Sequence, residues 1–88
     1  MKTIQIKVSG RVQGVGFRYY TQKKALEFNI FGFVQNKPDG SVYIEAEGKD
    51  IDVDTFADWC ARGPSWAKVL QYKKSELPLA GFTQFEIK

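Results

Sequence analysis

Nine consecutive residues near the start of the chain have the makings of an anion site: Gly10-Arg11-Val12-Gln13-Gly14-Val15-Gly16-Phe17-Arg18. They join a segment that reads as a strand to one that reads as a helix. Several backbone N–H groups at the start of that helix therefore have no intrahelical acceptor. Glycines let such a loop curl until successive N–H groups converge on one concavity, and the positive end of the helix dipole reinforces it. Arg18, entering the helix, could add a bidentate, charge-assisted grip on phosphate or carboxylate. A tight connection with a solvent-facing arginine fits the same residues, and the loop alone does not separate the two. The stretch is not a P-loop, because the Gly-Lys-Ser/Thr ending is missing.

What the chain lacks narrows the chemistry further. It has no histidine, which removes imidazole general bases, Ser/His and Cys/His nucleophile pairs and most zinc sites. The single cysteine, Cys60, excludes an intrachain disulfide. Any reaction must then run on charge, backbone dipoles and positioned water; no cofactor and no metal are expected. Thirteen basic against ten acidic residues give a net charge of +3, which suits an anionic small molecule and equally a solvated surface. No window approaches the ~20 apolar residues of a membrane helix. Without a disulfide framework, cytoplasmic residence is the expectation.

The elements that must hold the loop follow from periodicity. Ile4, Ile6 and Val8 alternate with Gln5 and Lys7, a half-buried strand. Residues 10–16 form the loop. Phe17, Thr21, Ala25 and Phe28 make one face of a helix over residues 17–28, which Asn29 stops. Residues 30–34 read as a buried strand, and Lys37-Pro38-Asp39-Gly40 as a turn, since proline presets φ and Asp-Gly accommodates positive φ. The next strand alternates, with Val42, Ile44 and Ala46 inward and Tyr43, Glu45 and Glu47 outward. Val53, Phe56, Ala57, Cys60 and Ala61 mark a second helix, with Asp50, Asp52 and Asp54 at its start and Arg62-Gly63-Pro64 at its end. A strand around residues 66–74 has an alternation that blurs at Leu70 and Gln71. Thr83, Phe85 and Ile87 suggest a short closing strand. At 88 residues the chain supports one domain, expected over residues 1–88. The order β-α-β-β-α-β, with one extra strand, predicts an α+β ferredoxin-like sandwich with both helices on one face of a mainly antiparallel sheet.

Two stretches carry a resemblance to a known family. Gly10-Arg11-Val12-Gln13-Gly14-Val15-Gly16-Phe17-Arg18 resembles the first acylphosphatase signature. Gly32-Phe33-Val34-Gln35-Asn36-Lys37-Pro38-Asp39-Gly40-Ser41-Val42, with Gly48 at its end, resembles the second. They occur in the family's order and separation, and the similar layout extends over essentially the whole chain. The resemblance implies an acylphosphatase, a metal-independent hydrolase of small acyl phosphates that forms no covalent intermediate. It implies that Arg18 holds the substrate phosphate and that Arg11, Val12, Gln13, Gly14, Val15, Gly16 and Phe17 bind it through backbone amides. Asn36 matches the asparagine that orients the attacking water. Gln35 and Lys37 stand at positions where the family varies.

Those roles make physical sense. An acyl phosphate carries a good carboxylate leaving group, so the barrier lies largely in placing water in line and in stabilising charge on the phosphoryl oxygens. A nest with Arg18 supplies the second by preorganised electrostatics. Asn36 supplies the first with an amide that both donates and accepts, where a carboxylate would repel the phosphate.

Two other function classes compete with that reading. One is a non-catalytic anion-binding module with the same loop. The other is an RNA-binding ferredoxin-like domain, disfavoured by Glu45 and Glu47 on the outer side of the third strand. The expected partners are a small acyl phosphate and inorganic phosphate, with no nucleic acid, no membrane and a monomeric chain. Cys60, Phe17, Phe28 and Phe56 are read as core, as are Tyr19, Tyr20, Tyr43, Phe31 and Phe33. Trp59 and Trp66 are read as capping the core edge.

Overall fold

Strands of alternating apolar residues and two helices that each bury one face assemble into one two-layer unit, seen in a computed structural model that describes residues 1–88. The elements run β1 (Lys2–Arg11), α1 (Phe17–Glu27), β2 (Phe31–Asn36), β3 (Val42–Gly48), α2 (Asp50–Arg62), β4 (Lys68–Leu77) and β5 (Phe85–Ile87). The strands lie in the order β4-β1-β3-β2-β5. β3 is antiparallel to both β1 and β2, β4 is antiparallel to β1, and only β5 pairs in parallel, against β2. Helix α1 packs against β2 and β5, and α2 against β1, β3 and β4. This is the predicted ferredoxin-like arrangement, with the short extra strand at the β2 edge.

Burial follows the alternation. Ile4, Ile6 and Val8 of β1, Val42, Ile44 and Ala46 of β3, and Val34 of β2 meet Phe17 and Ala25 of α1 and Val53, Phe56, Ala57 and Cys60 of α2. Asn29 ends α1 at φ 55°, and Gly63 ends α2 at φ 71°. Strand β1 is longer than expected: Gly10 and Arg11, read as loop, pair with Val69 and Lys68 of β4.

That pairing explains the blurred pattern at residues 70 and 71. Ser9 is opposite Gln71 but Gly10 is opposite Val69, so Leu70 is the extra residue of a β-bulge and lies exposed. The bulge resets the alternation, and the inward residues become Val69 and Tyr72. Only glycine fits at position 10, since a Cβ there would overlap the Lys68 carbonyl oxygen.

Several expectations are corrected. Glu47 does stand on the outer face, opposite Thr3, but it is buried rather than solvated. The segment at residues 80–82 crosses over it. The Glu47 carboxylate accepts from Thr3 Oγ1 and from the backbone N–H groups of Ala80 (2.6 Å), Gly81 (3.0 Å) and Phe82 (3.0 Å). A carboxylate is what lets a loop with three unpaired donors lie flat on a sheet. Burial by itself would push the Glu47 carboxyl up, but the hydrogen bonds from Thr3 and the three N–H groups outweigh it and lower its pKa.

The aromatic residues divide differently from the expected core as well. Tyr19, Tyr20, Phe31 and Trp66 are exposed, and Trp66 is not among the residues packed on the core. Phe33 and Tyr43 pack together on the outer face, where Phe82 and the Lys88 ammonium cover the Phe33 ring. Trp59 packs against the core edge beside Phe17 as expected, and Phe28 is half-buried there.

Candidate active site

The loop between β1 and α1 is pinned at both ends by core side chains, Val12 and Phe17, each nearly inaccessible to solvent. Between them the backbone must turn sharply, and Gly14 (φ 74°) and Gly16 (φ 79°) occupy the left-handed region that other residues avoid. Gly16 is the N-cap of α1 and no side chain caps that helix. The first-turn N–H groups are thus left for an external acceptor, in the field of the helix dipole.

The loop and the first turn of α1 border a cavity of about 230 Å³. Val12, Gly14, Gly16 and Phe17 line it from the loop, Arg18 and Tyr19 from the first turn of α1, Asn36 from β2 and Ile87 from β5. Asn36 is the last residue of β2, opposite Val42, so the sheet fixes its backbone at the cavity wall. Arg18 Nη1 donates to the main-chain oxygen of Lys88 at 3.1 Å.

Sheet topology produces this convergence. β1 and β2 run in the same direction with β3 between them, so the loop after β1 and the end of β2 share one end of the sheet. β5 runs parallel to β2 and ends there too. The Lys88 N–H bonds the Val34 carbonyl at 2.8 Å, and the Gly32 N–H bonds that of Gln84 at 2.9 Å.

Of the residues singled out in the sequence, Arg18, Asn36, Val12, Gly14, Gly16 and Phe17 meet at this cavity. Arg11, Gln13 and Val15 do not line it. Arg11 is the last residue of β1, and Val15 packs against the core. Gln13 turns away to the β2–β3 hairpin, where Nε2 donates to the carbonyls of Lys37 (2.7 Å) and Ser41 (2.9 Å). Sequence reasoning missed Tyr19, Ile87 and Lys88. The signal for the last two lay in the alternation of Thr83, Phe85 and Ile87, had that strand been set parallel to β2.

Nearby, the hairpin turn is locked by Asp39, which accepts from the Ser41 hydroxyl (2.6 Å) and N–H (2.9 Å) and pairs with Lys7 (2.9 Å). Ser41 and then Lys7 hold the Asp39 carboxyl well below the usual carboxylate range. No three Cys, Asp or Glu side chains gather to hold a metal ion, and no helix is long and apolar enough to cross a membrane.

Comparison with known proteins agrees with this geometry. The acylphosphatase family model matches residues 4–87. An acylphosphatase from Oceanobacillus iheyensis is 47% identical over 90 residues, covering all of this chain and 99% of that protein. The crystal structure of acylphosphatase from Bacillus subtilis superposes with a TM-score of 0.96 at 38% identity, covering 100% of this chain and 99% of the other. An acylphosphatase structure from Coxiella burnetii gives 0.94 at 32% identity, over 99% and 92% of the two chains. The chain belongs to the acylphosphatase family.

Proposed function

We propose that the chain hydrolyses the carboxyl-phosphate anhydride of small acyl phosphates to carboxylate and inorganic phosphate, without a metal, by direct attack of water. The observation that carries this reading is the meeting of Arg18 and Asn36, from two separate signature stretches, at one cavity over the uncapped start of α1.

In this mechanism the phosphoryl oxygens accept from the backbone N–H groups of the 12–17 loop and from the Arg18 guanidinium. The phosphate-binding roles expected of Gln13 and Val15 are those of loop backbone, and Arg11 stands just before the loop at the end of β1. Fixed dipoles at the site where charge develops need no reorganisation during the reaction. Asn36 holds a water in line with the departing carboxylate, through an amide that donates and accepts. The water's proton passes to a phosphoryl oxygen of the substrate. Departure of a carboxylate, a weak base, needs no general acid.

Residues 1–88 act in this reading as one domain, a cytoplasmic monomer without a nucleic-acid partner. The lone cysteine supports a reducing compartment. The covering of the Phe33 ring by Phe82 and Lys88 speaks against base stacking.

The test is benzoyl phosphate hydrolysis with EDTA present throughout. Turnover that persists in chelator and is competitively inhibited by inorganic phosphate supports the proposal. Folded protein with no rate above the spontaneous one would instead point to a non-catalytic anion-binding module.

A further inference from the structure

Asn36 can place a water only if its distance from the phosphate loop is fixed, yet the two belong to different elements. Beyond the shared sheet, a side chain of the loop ties it directly to the hairpin that carries Asn36. Gln13 leaves the middle of the loop and inserts its amide into the base of the β2–β3 hairpin, donating to Lys37 O at 2.7 Å and Ser41 O at 2.9 Å. Lys37 directly follows Asn36, and Ser41 directly precedes Val42, the partner of Asn36 across the ladder. The amide therefore grips the hairpin one step beyond the Asn36–Val42 pair, on both strands at once. Two carbonyl oxygens converging on one terminal atom require the NH2 end of the amide, and both of its hydrogens are used.

We infer that Gln13 is a positioning residue that sets the separation between the phosphate loop and Asn36; the inference rests on the water-orienting role proposed for Asn36. The loop does not depend on this strut for its own shape, because buried Val12 and Phe17 anchor its ends. Nor does the hairpin depend on it to close: Lys37 N–H bonds Ser41 O at 2.9 Å, Gly40 N–H bonds Lys37 O at 3.1 Å, and Asp39 ties Ser41. The β1–β3–β2 ladder brings the two to the same end of the sheet, and Gln13 adds the direct tie from the loop itself to the hairpin. Losing it leaves the nest able to hold phosphate while the water site drifts, and displacements of ~1 Å cost on the order of 10²-fold in rate.

The experiment compares wild type, Gln13→Met and Asn36→Ala, measuring kcat on benzoyl phosphate and the inhibition constant of inorganic phosphate. Met keeps the length and bulk of Gln13 and removes the two donors. If Gln13→Met does not fold, Gln13→Asn, one methylene too short to span the gap, takes its place. The expected result is a fall in kcat of about tenfold or more with the phosphate constant unchanged. A kcat equal to wild type overturns the inference. So does a parallel loss of kcat and phosphate affinity, which would make Gln13 a support of the nest itself. Asn36→Ala separates the premise from the inference. If it turns over like wild type, the role of Asn36 fails and the inference with it. If it is inactive while Gln13→Met is fully active, only the role of Gln13 fails.

Discussion

Arg18, in the first turn of α1, donates from Nη1 to the main-chain oxygen of Lys88, just beyond β5, at 3.1 Å. The contact parks one arm of the guanidinium on the last strand of the sheet and leaves its other N–H groups free for a ligand. It also restricts a long side chain that would otherwise lose rotamer entropy on binding phosphate.

Replacing Arg18 by Ala should therefore remove both charge and orientation. Turnover of benzoyl phosphate should fall by roughly 10³-fold or more, the range in which an arginine acts on a transferring phosphoryl group. Inorganic phosphate should inhibit more weakly in parallel. Arg18→Lys should recover little, because a point charge does not reproduce the planar fork. Steady-state rates with phosphate titrations check both variants, and a lysine variant near wild-type activity would reduce the role of Arg18 to charge alone.

Asn36→Ala should behave differently. The phosphate is held elsewhere, so inhibition by phosphate should persist while kcat falls by about 10²-fold or more. Asn36→Asp should be at least as poor, since an anion at that wall repels the substrate. Near-normal turnover in Asn36→Ala would remove its assignment while leaving that of Arg18 intact.

Periodicity made the sheet and helices legible because burial on one face is a local rule. The glycine loop was legible because turn chemistry is local too. Three features were not. The bulge at Leu70 breaks the alternation of β4 from within, and only its partner strand reveals the register. Glu47 obeys the alternation, yet a segment more than thirty residues later in the chain covers it. Gln13 sits in a loop, where a polar side chain has no periodic direction, and the hairpin it grips is 24 residues away. In each case the deciding contact is long-range.

Cys60 tests the separation of core from chemistry. It is fully buried on α2, and burial pushes its thiol pKa well up. The folded protein should not react with a thiol reagent on the timescale of turnover. Cys60→Ala should lower stability by roughly 0.5–3 kcal/mol and leave kcat on benzoyl phosphate unchanged. Loss of activity in a folded Cys60→Ala protein would contradict the placement of the site.

Glu47 gives the fold a predictable acid sensitivity. Its folded pKa lies below the usual 4.5, because the hydrogen bonds from Thr3 and from the N–H groups of residues 80–82 outweigh the opposing effect of burial. A depressed carboxyl pKa stabilises the folded state above the unfolded pKa, and that contribution is lost as pH falls through the folded one. Glu47→Gln keeps the shape but turns an NH2 group toward backbone donors, at a cost of about 1–3 kcal/mol. Urea midpoints for wild type and Glu47→Gln should therefore differ clearly at pH 7 and converge as the pH is taken from 4.5 downward. A gap that stays constant over that range would mean that the carboxylate charge is not what fastens the 80–82 segment to the sheet. The segment leads into β5, and β5 carries Ile87 to the cavity wall. The same substitution should then raise KM for benzoyl phosphate and lower kcat together, since Arg18 is oriented by Lys88 just beyond β5.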